Sequence, residues 1–249
     1  MWDFEEIPNS TEDPQIKPEI DEFNSDYIKD LQSCVKVICF DLYWTLLYSE
    51  KKDSHLRLIK KFKNSWKALL GYLKDIQIKP KKKIKHTNDP EVNQAIDEIN
   101  KHFSEQAKST YPYQDALNTL QELKKRWYKL ALISNLSEEF EAPLKKYFPK
   151  NLFNHKILSF KVWKSKPDTT IFKKTLKTVN RKNKKTKDPE YTMKNMVMIW
   201  DTPKDDIKWP IDAWMYAIWL DRNADKMYYD EKRNCIVIHT LNDLLDIFK

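Results

Sequence analysis

Val35-Lys36-Val37-Ile38-Cys39-Phe40-Asp41-Leu42-Tyr43-Trp44-Thr45-Leu46 is the stretch on which the reading of this chain turns. The hydrophobic run Val35 to Cys39 reads as a strand. Asp41 then falls at the C-terminal end of that strand, where open α/β sheets bind their ligands. Thr45, four residues on, brings a hydroxyl to the same place.

Working outward, the 249 residues suffice for one large domain, or for one domain with a small cap. The net charge of +8 raises the question of nucleic acid. The lysines are spread widely, and few arginines or aromatic residues cluster with them. A solvated, lysine-rich surface is therefore expected, with no nucleic-acid partner. Cys34, Cys39 and Cys235 are too few and too scattered for a disulfide framework or a zinc site. No apolar run reaches spanning length and no signal peptide is legible, so a soluble, cytoplasmic protein without membrane association is expected.

Residues 1–33 are acidic and polar with Pro8, Pro14 and Pro18, and read as a disordered or loosely attached extension. Past the first strand, Ile59, Phe62, Trp66, Leu69, Leu70 and Leu73 recur at helical spacing within about 54–78. Val92, Ile96, Ile99, Phe103 and Ala107 mark a second helix. This pair reads as a helical cap over 49–110, inserted into a core of 34–48 and 111–249. Apolar runs then recur at 129–133, 156–160, 196–200, 216–220 and 235–239, separated by helical stretches such as 169–179. Residues 181–187 read as a basic surface insertion and 241–248 as a closing helix. Strands alternating with helices predict an α/β fold: a Rossmann-like parallel sheet with helices on both faces and all strand C-termini at one edge.

Four of these strand ends or following loops carry polar residues. They are Asp41 and Thr45; Ser134 and Asn135; Lys166 in Lys164-Ser165-Lys166-Pro167-Asp168; and Asp201 with Asp206. Singly each is weak: a strand-end serine is often a cap or turn residue. In this order and spacing, over residues 35–249, they resemble the motifs of the haloacid dehalogenase-like hydrolases, whose first motif is Asp-x-Asp-x-Thr. The resemblance implies a nucleophilic carboxylate, Asp41, that splits a hard hydrolysis into two displacements through a covalent intermediate. On a small phosphorylated substrate that intermediate is an aspartyl-phosphate. Lys166, Thr45, Ser134 and the amide of Asn135 would then balance the charge of the equatorial oxygens. It also implies Mg²⁺, held by Asp41, the backbone carbonyl of Tyr43 and Asp201, with Asp206 in support. Neither the substrate nor the oligomeric state is legible.

Two departures from the family pattern matter. Tyr43 stands where most members carry a second Asp, which protonates the leaving group and later activates water. A phenol with pKa near 10 is no base at neutral pH. Tyrosine at this position is found in the L-2-haloacid dehalogenases, whose halide leaves without a proton. Among phosphatase-like members it would favour good leaving groups such as acyl phosphates. Asp201 favours the metal-dependent phosphatase, because the dehalogenases usually carry an uncharged polar residue there. Arg57 is the only early candidate for a dehalogenase cap arginine.

The second departure is glycine. The chain has one, Gly71, and nine tryptophans, where average usage would give roughly 17 glycines. Trp44, Trp127, Trp163, Trp200, Trp209 and Trp214 fall at positions where the family uses Gly. Tight turns and helix C-caps need positive φ, which a bulky residue resists. UGA is read as Trp in some genetic codes and as Gly in others, so translation with the wrong table would produce this pattern. The alternative is true divergence, in a non-catalytic protein that kept the fold.

Overall fold

A computed structural model describes residues 22–50, 66–81, 84, 87–202 and 208–249. Its centre is a seven-stranded sheet in the order β5-β4-β1-β6-β7-β9-β8. The strands are β1 (Val37–Phe40), β4 (Lys129–Ser134), β5 (His155–Leu158), β6 (Met196–Trp200), β7 (Tyr216–Leu220), β8 (Tyr228–Asp230) and β9 (Cys235–Ile238). All neighbours are parallel except the edge pair β8–β9. Val37 pairs with Lys129 on one side and Met196 on the other, so β1 sits between β4 and β6. Every residue of β1 and β6 is buried, as expected for strands covered on both faces.

The two faces of the sheet carry separate cores. One packs Phe40, Leu132 and Ile199 with Leu120, Leu123 and Phe248; the other packs Cys39, Ile133 and Met198 with Ile171, Phe172 and Val179. The alternation of residues along β1, β4 and β6 between these sets is the two-residue period of a strand.

Between β1 and β4 the chain leaves the sheet through β2 (Leu47–Ser49) and returns through β3 (Thr110–Pro112), which pair antiparallel as a short ribbon. Helices α2 (Trp66–Ile78) and α3 (Pro90–Lys108) lie between them. Asp89 caps α3 by accepting from the amides of Glu91 and Val92. The two helices pack on each other through Leu69, Leu73, Ile76, Val92, Ile96, Ile99 and Phe103. The earlier part of the first expected helix, with Arg57, lies outside the described residues.

Four expectations need correction. The extension read as loosely attached up to residue 33 ends in a helix, α1 (Glu22–Cys34), whose Leu31 is fully buried in the core. Residues 1–21 lie outside the described residues. The run read as a strand over 156–160 stops at Leu158, and Ser159–Val162 turns into a short helix. The basic segment read as an insertion is the second half of a regular helix, Thr170–Thr186, held by the buried Val179 and Asn183. The closing helix is split into a single 3₁₀ turn at Leu241–Asp243 and a four-residue helix, Leu244–Ile247.

Candidate active site

Because β4, β1 and β6 are adjacent and parallel, their C-terminal ends open onto one crevice. β1 delivers Asp41, β4 delivers Ser134 and Asn135, and β6 delivers Asp201. Lys166 arrives from the loop between the Ser159–Val162 and Thr170–Thr186 helices.

Asp41 Oδ2 accepts from Lys166 Nζ at 2.6 Å. Its Oδ1 accepts from the Leu42 amide at 2.7 Å. The lysine is buried and its ammonium lies 4.7 Å from the centre of the Trp200 ring. An ion pair this far from water gains little net stability; at a sheet edge it is better understood as chemistry. Asn135 sets the lysine in place. Its Oδ1 accepts from the Lys166 amide at 2.9 Å, and its Nδ2 donates to the Lys166 carbonyl at 2.8 Å. Asn135 was expected to contribute its backbone amide; its side chain makes this pair of bonds, which joins two loops 31 residues apart.

Asp201 completes the group. Its Oδ1 accepts from Thr45 Oγ1 at 3.2 Å and its Oδ2 from Thr202 Oγ1 at 3.3 Å. Trp219 Nε1 donates to its carbonyl at 3.1 Å. Burial, and then the negative charge of Asp41, push the Asp201 carboxyl above the usual carboxylate range. Ser134 is buried at the end of β4. Thus Asp41 meets Lys166, and Thr45 meets Asp201. Asp206 lies outside the described residues.

Tyr43 turns toward the helical pair. Its ring packs edge-on against Phe140 with centroids 5.1 Å apart. Burial drives its phenol well above its ordinary pKa. It is therefore neutral at any physiological pH and is no base. Tyr43 also lines a cavity of about 200 Å³ with Leu73, Ile76, Phe103, Asn135, Ser137 and others, between the strand edge and the helices.

The donor set fits a hard divalent cation. Two carboxylates, Asp41 and Asp201, stand at this edge with a single ammonium, that of Lys166, and burial and then the charge of Asp41 raise the pKa of Asp201. Among the described residues no three acidic, histidine or cysteine side chains converge. A metal here would be held by Asp41, Asp201 and the Tyr43 carbonyl and would keep several waters, as Mg²⁺ does.

Sequence reading missed three supporting residues. Ser159 accepts from the Leu136 amide at 2.9 Å and pins the loop after β4. Arg222 and Asp115 pair at 2.9 Å beside Thr45. None belongs to a local pattern, and only a strand-end position, Ser159 directly after β5 and Arg222 two residues after β7, could have pointed to two of them.

The family model described as haloacid dehalogenase-like hydrolase matches residues 38–205. No curated protein matches the chain by sequence. Among solved structures, the chain is similar to a 2-haloacid dehalogenase from Pseudomonas syringae pv. Tomato DC3000, at 18% identity and a TM-score of 0.54 over 86% of this chain and 97% of that one. An HAD phosphatase from Thermococcus onnurineus gives 20% and 0.53 over the same shares. A mutant HAD family enzyme from Bacteroides thetaiotaomicron, in complex with magnesium and inorganic phosphate, gives 17% and 0.53 over 77% and 96%. At these identities the likeness speaks for the fold alone. No helix among the described residues is long and apolar enough to cross a membrane.

Proposed function

The chain belongs to the haloacid dehalogenase-like hydrolases, and from that membership we propose that it is a magnesium-dependent phosphatase working on a small phosphorylated metabolite. The observation that carries this reading is the 2.6 Å pair of Asp41 and Lys166, with Asp201 facing the same crevice. The Asp41 carboxylate attacks phosphorus, the bond to the leaving oxygen breaks, and an aspartyl-phosphate remains. Water then attacks that phosphorus and frees Asp41 and inorganic phosphate. Lys166 and the Thr45 hydroxyl balance charge on the phosphoryl oxygens and hold the group in line. A Mg²⁺ ion bound by Asp41 and Asp201 would supply further neutralisation of the phosphoryl charge. The similar Bacteroides enzyme, solved with magnesium and phosphate, supports that choice of ion.

Tyr43 supplies no proton to the leaving oxygen, so substrates with good leaving groups, such as acyl phosphates, are favoured. The same residue favours a second reading, metal-independent release of halide from a 2-haloacid. A screen for phosphate release with and without Mg²⁺, run beside a halide assay on 2-haloacids, separates the two. Asp41→Asn should remove on the order of 10³-fold or more of either activity. An Asn variant as active as the parent would remove Asp41 as the nucleophile in both.

The remaining reading, a decayed protein that kept the fold, rests on the tryptophans. We infer instead that several of these residues are glycine in the native host. Trp44, Trp127, Trp163 and Trp214 have φ of 63°, 69°, 60° and 64°. The same four are exposed, at 39%, 92%, 54% and 75%. Left-handed backbone costs an L-residue roughly 1–2 kcal/mol, so four such sites would consume much of the 5–15 kcal/mol by which a domain is stable. Glycine removes that penalty. Trp200 and Trp209 are different. Trp200 is an ordinary buried residue of β6, Trp209 lies in the short helix Lys208–Asp212, and neither has positive φ. The inference is therefore narrowed to four positions. TGA at codons 44, 127, 163 and 214 is the expected result, and TGG there overturns it.

A further inference from the structure

The two crossings between the sheet and the helical pair meet at one side chain. Arg222, two residues past β7, donates from Nη2 to the Thr45 carbonyl at 3.0 Å, just before β2. The same guanidinium grips Asp115, just after β3, with Nη1 to Oδ2 at 2.9 Å and Nη2 to Oδ1 at 3.2 Å. Its Cζ lies 3.7 Å from the centre of the Tyr113 ring. Asp115 is anchored in turn, since its Oδ2 accepts from Thr240 Oγ1 at 2.8 Å and from the Leu241 amide at 2.9 Å. The Tyr113 amide donates to the Leu46 carbonyl at 3.1 Å and ties the crossings to each other. Thr45 is thus held at both ends: its carbonyl by Arg222 and its hydroxyl against Asp201.

We propose that Arg222, seated on Asp115 and Tyr113, is a positioning residue for the reaction, fixing the Asp41–Leu46 loop so that the Thr45 hydroxyl stays registered on Asp201 and the phosphoryl group. This rests on the phosphatase reading for its effect on turnover, but the clamp itself does not. Only a planar fork can serve a carboxylate bidentately, reach a carbonyl and lie on an aromatic face at once; an ammonium cannot. Lysine at this position therefore keeps the charge and loses the placement.

The test uses Arg222→Lys, Arg222→Met and Asp115→Asn in the full chain. Hydrogen exchange of 42–47 and 110–115 is followed against that of β6, and kcat and KM are measured for the best phosphate substrate. The expected result is faster exchange confined to those two segments. With it should come a fall in kcat of about tenfold and a KM within about twofold of the parent, for lysine as for methionine. Wild-type kcat in Arg222→Lys, or unchanged exchange in the two segments, overturns the proposal. Where Arg222→Met fails to fold, Arg222→Lys and Asp115→Asn decide the matter on the same criteria. An unmodified protein that releases no phosphate would end the phosphatase reading, and the exchange data would then decide on the clamp alone.

Discussion

The strand edge and the helical pair beside it carry opposite chemistry. From the sheet come Asp41, Lys166 and Asp201, three charged groups linked through hydrogen bonds to Thr45, Asn135 and Leu42. From the helices come Leu73, Ile76, Gln77, Phe103 and Gln106, none of them charged. Asp41 and Asp201 directly follow the buried parallel strands β1 and β6, and Lys166 is tied to Asp41. The helical pair has its own small core and lies in the chain between the two strands of the antiparallel ribbon. The difference teaches a division of labour. Changes at the edge should alter the rate constant of the chemical step, and changes in the pair should alter which substrate is held.

Lys166→Met is the hardest test of that contrast. Removing the ammonium beside Asp41 should lower kcat about 10²–10³-fold, the scale of losing one charge-stabilising donor, with little change in KM. A loss confined to KM would place Lys166 in binding rather than in the chemistry. Tyr43→Asp probes the border between the two regions. It restores a group able to give and take a proton, worth at most about 10²–10⁴-fold. Turnover of poor leaving groups should rise more than that of acyl phosphates; equal gains on both would exclude a missing acid as the limit. Phe103→Ala, on the helical side, should shift KM several-fold and reorder substrate preference at nearly constant kcat. A fall in kcat comparable to that of Lys166→Met would abolish the division.

The smallest expected effect is on stability. The raised pKa of Asp201 means that the folded state releases this proton less readily than the unfolded chain. Above the unfolded value, near 3.9, the charged carboxyl therefore weakens the fold, and the penalty grows until pH passes the folded pKa. In EDTA, Asp201→Asn should melt higher than the parent at pH 7 by a few degrees. The advantage should vanish as pH falls below the unfolded value. Mg²⁺ should raise the melting temperature of the parent and leave the Asn variant unmoved. A parent that ignores Mg²⁺ would argue against metal at this edge.

Much of the edge was legible because a parallel sheet writes itself as apolar runs with polar residues at their ends. Phe40-Asp41, Ile133-Ser134 and Trp200-Asp201 are all such junctions. What was not legible is set by contacts between distant segments. Arg222 and Asp115 are 107 residues apart and look like ordinary surface charges in the chain. The edge strand β8 is three half-buried residues, Tyr228–Asp230, too short to show a period. The basic half of the Thr170–Thr186 helix was misread because lysines dominate it, while Val179 and Asn183, the residues that face inward, are few. The tryptophans were suspect on family grounds; the backbone angles separate the four that break a steric rule from Trp200 and Trp209, which do not.

The place of β1 between β4 and β6 has a consequence during synthesis. Its second neighbour, β6, ends about 160 residues later in the chain. At ribosomal speeds of about 5–20 residues per second, roughly 8–32 s therefore pass before the β6 flank of the first strand can be covered. Through that interval the nascent protein carries Asp41 without Asp201, so the strand-edge group cannot assemble before most of the polypeptide has emerged.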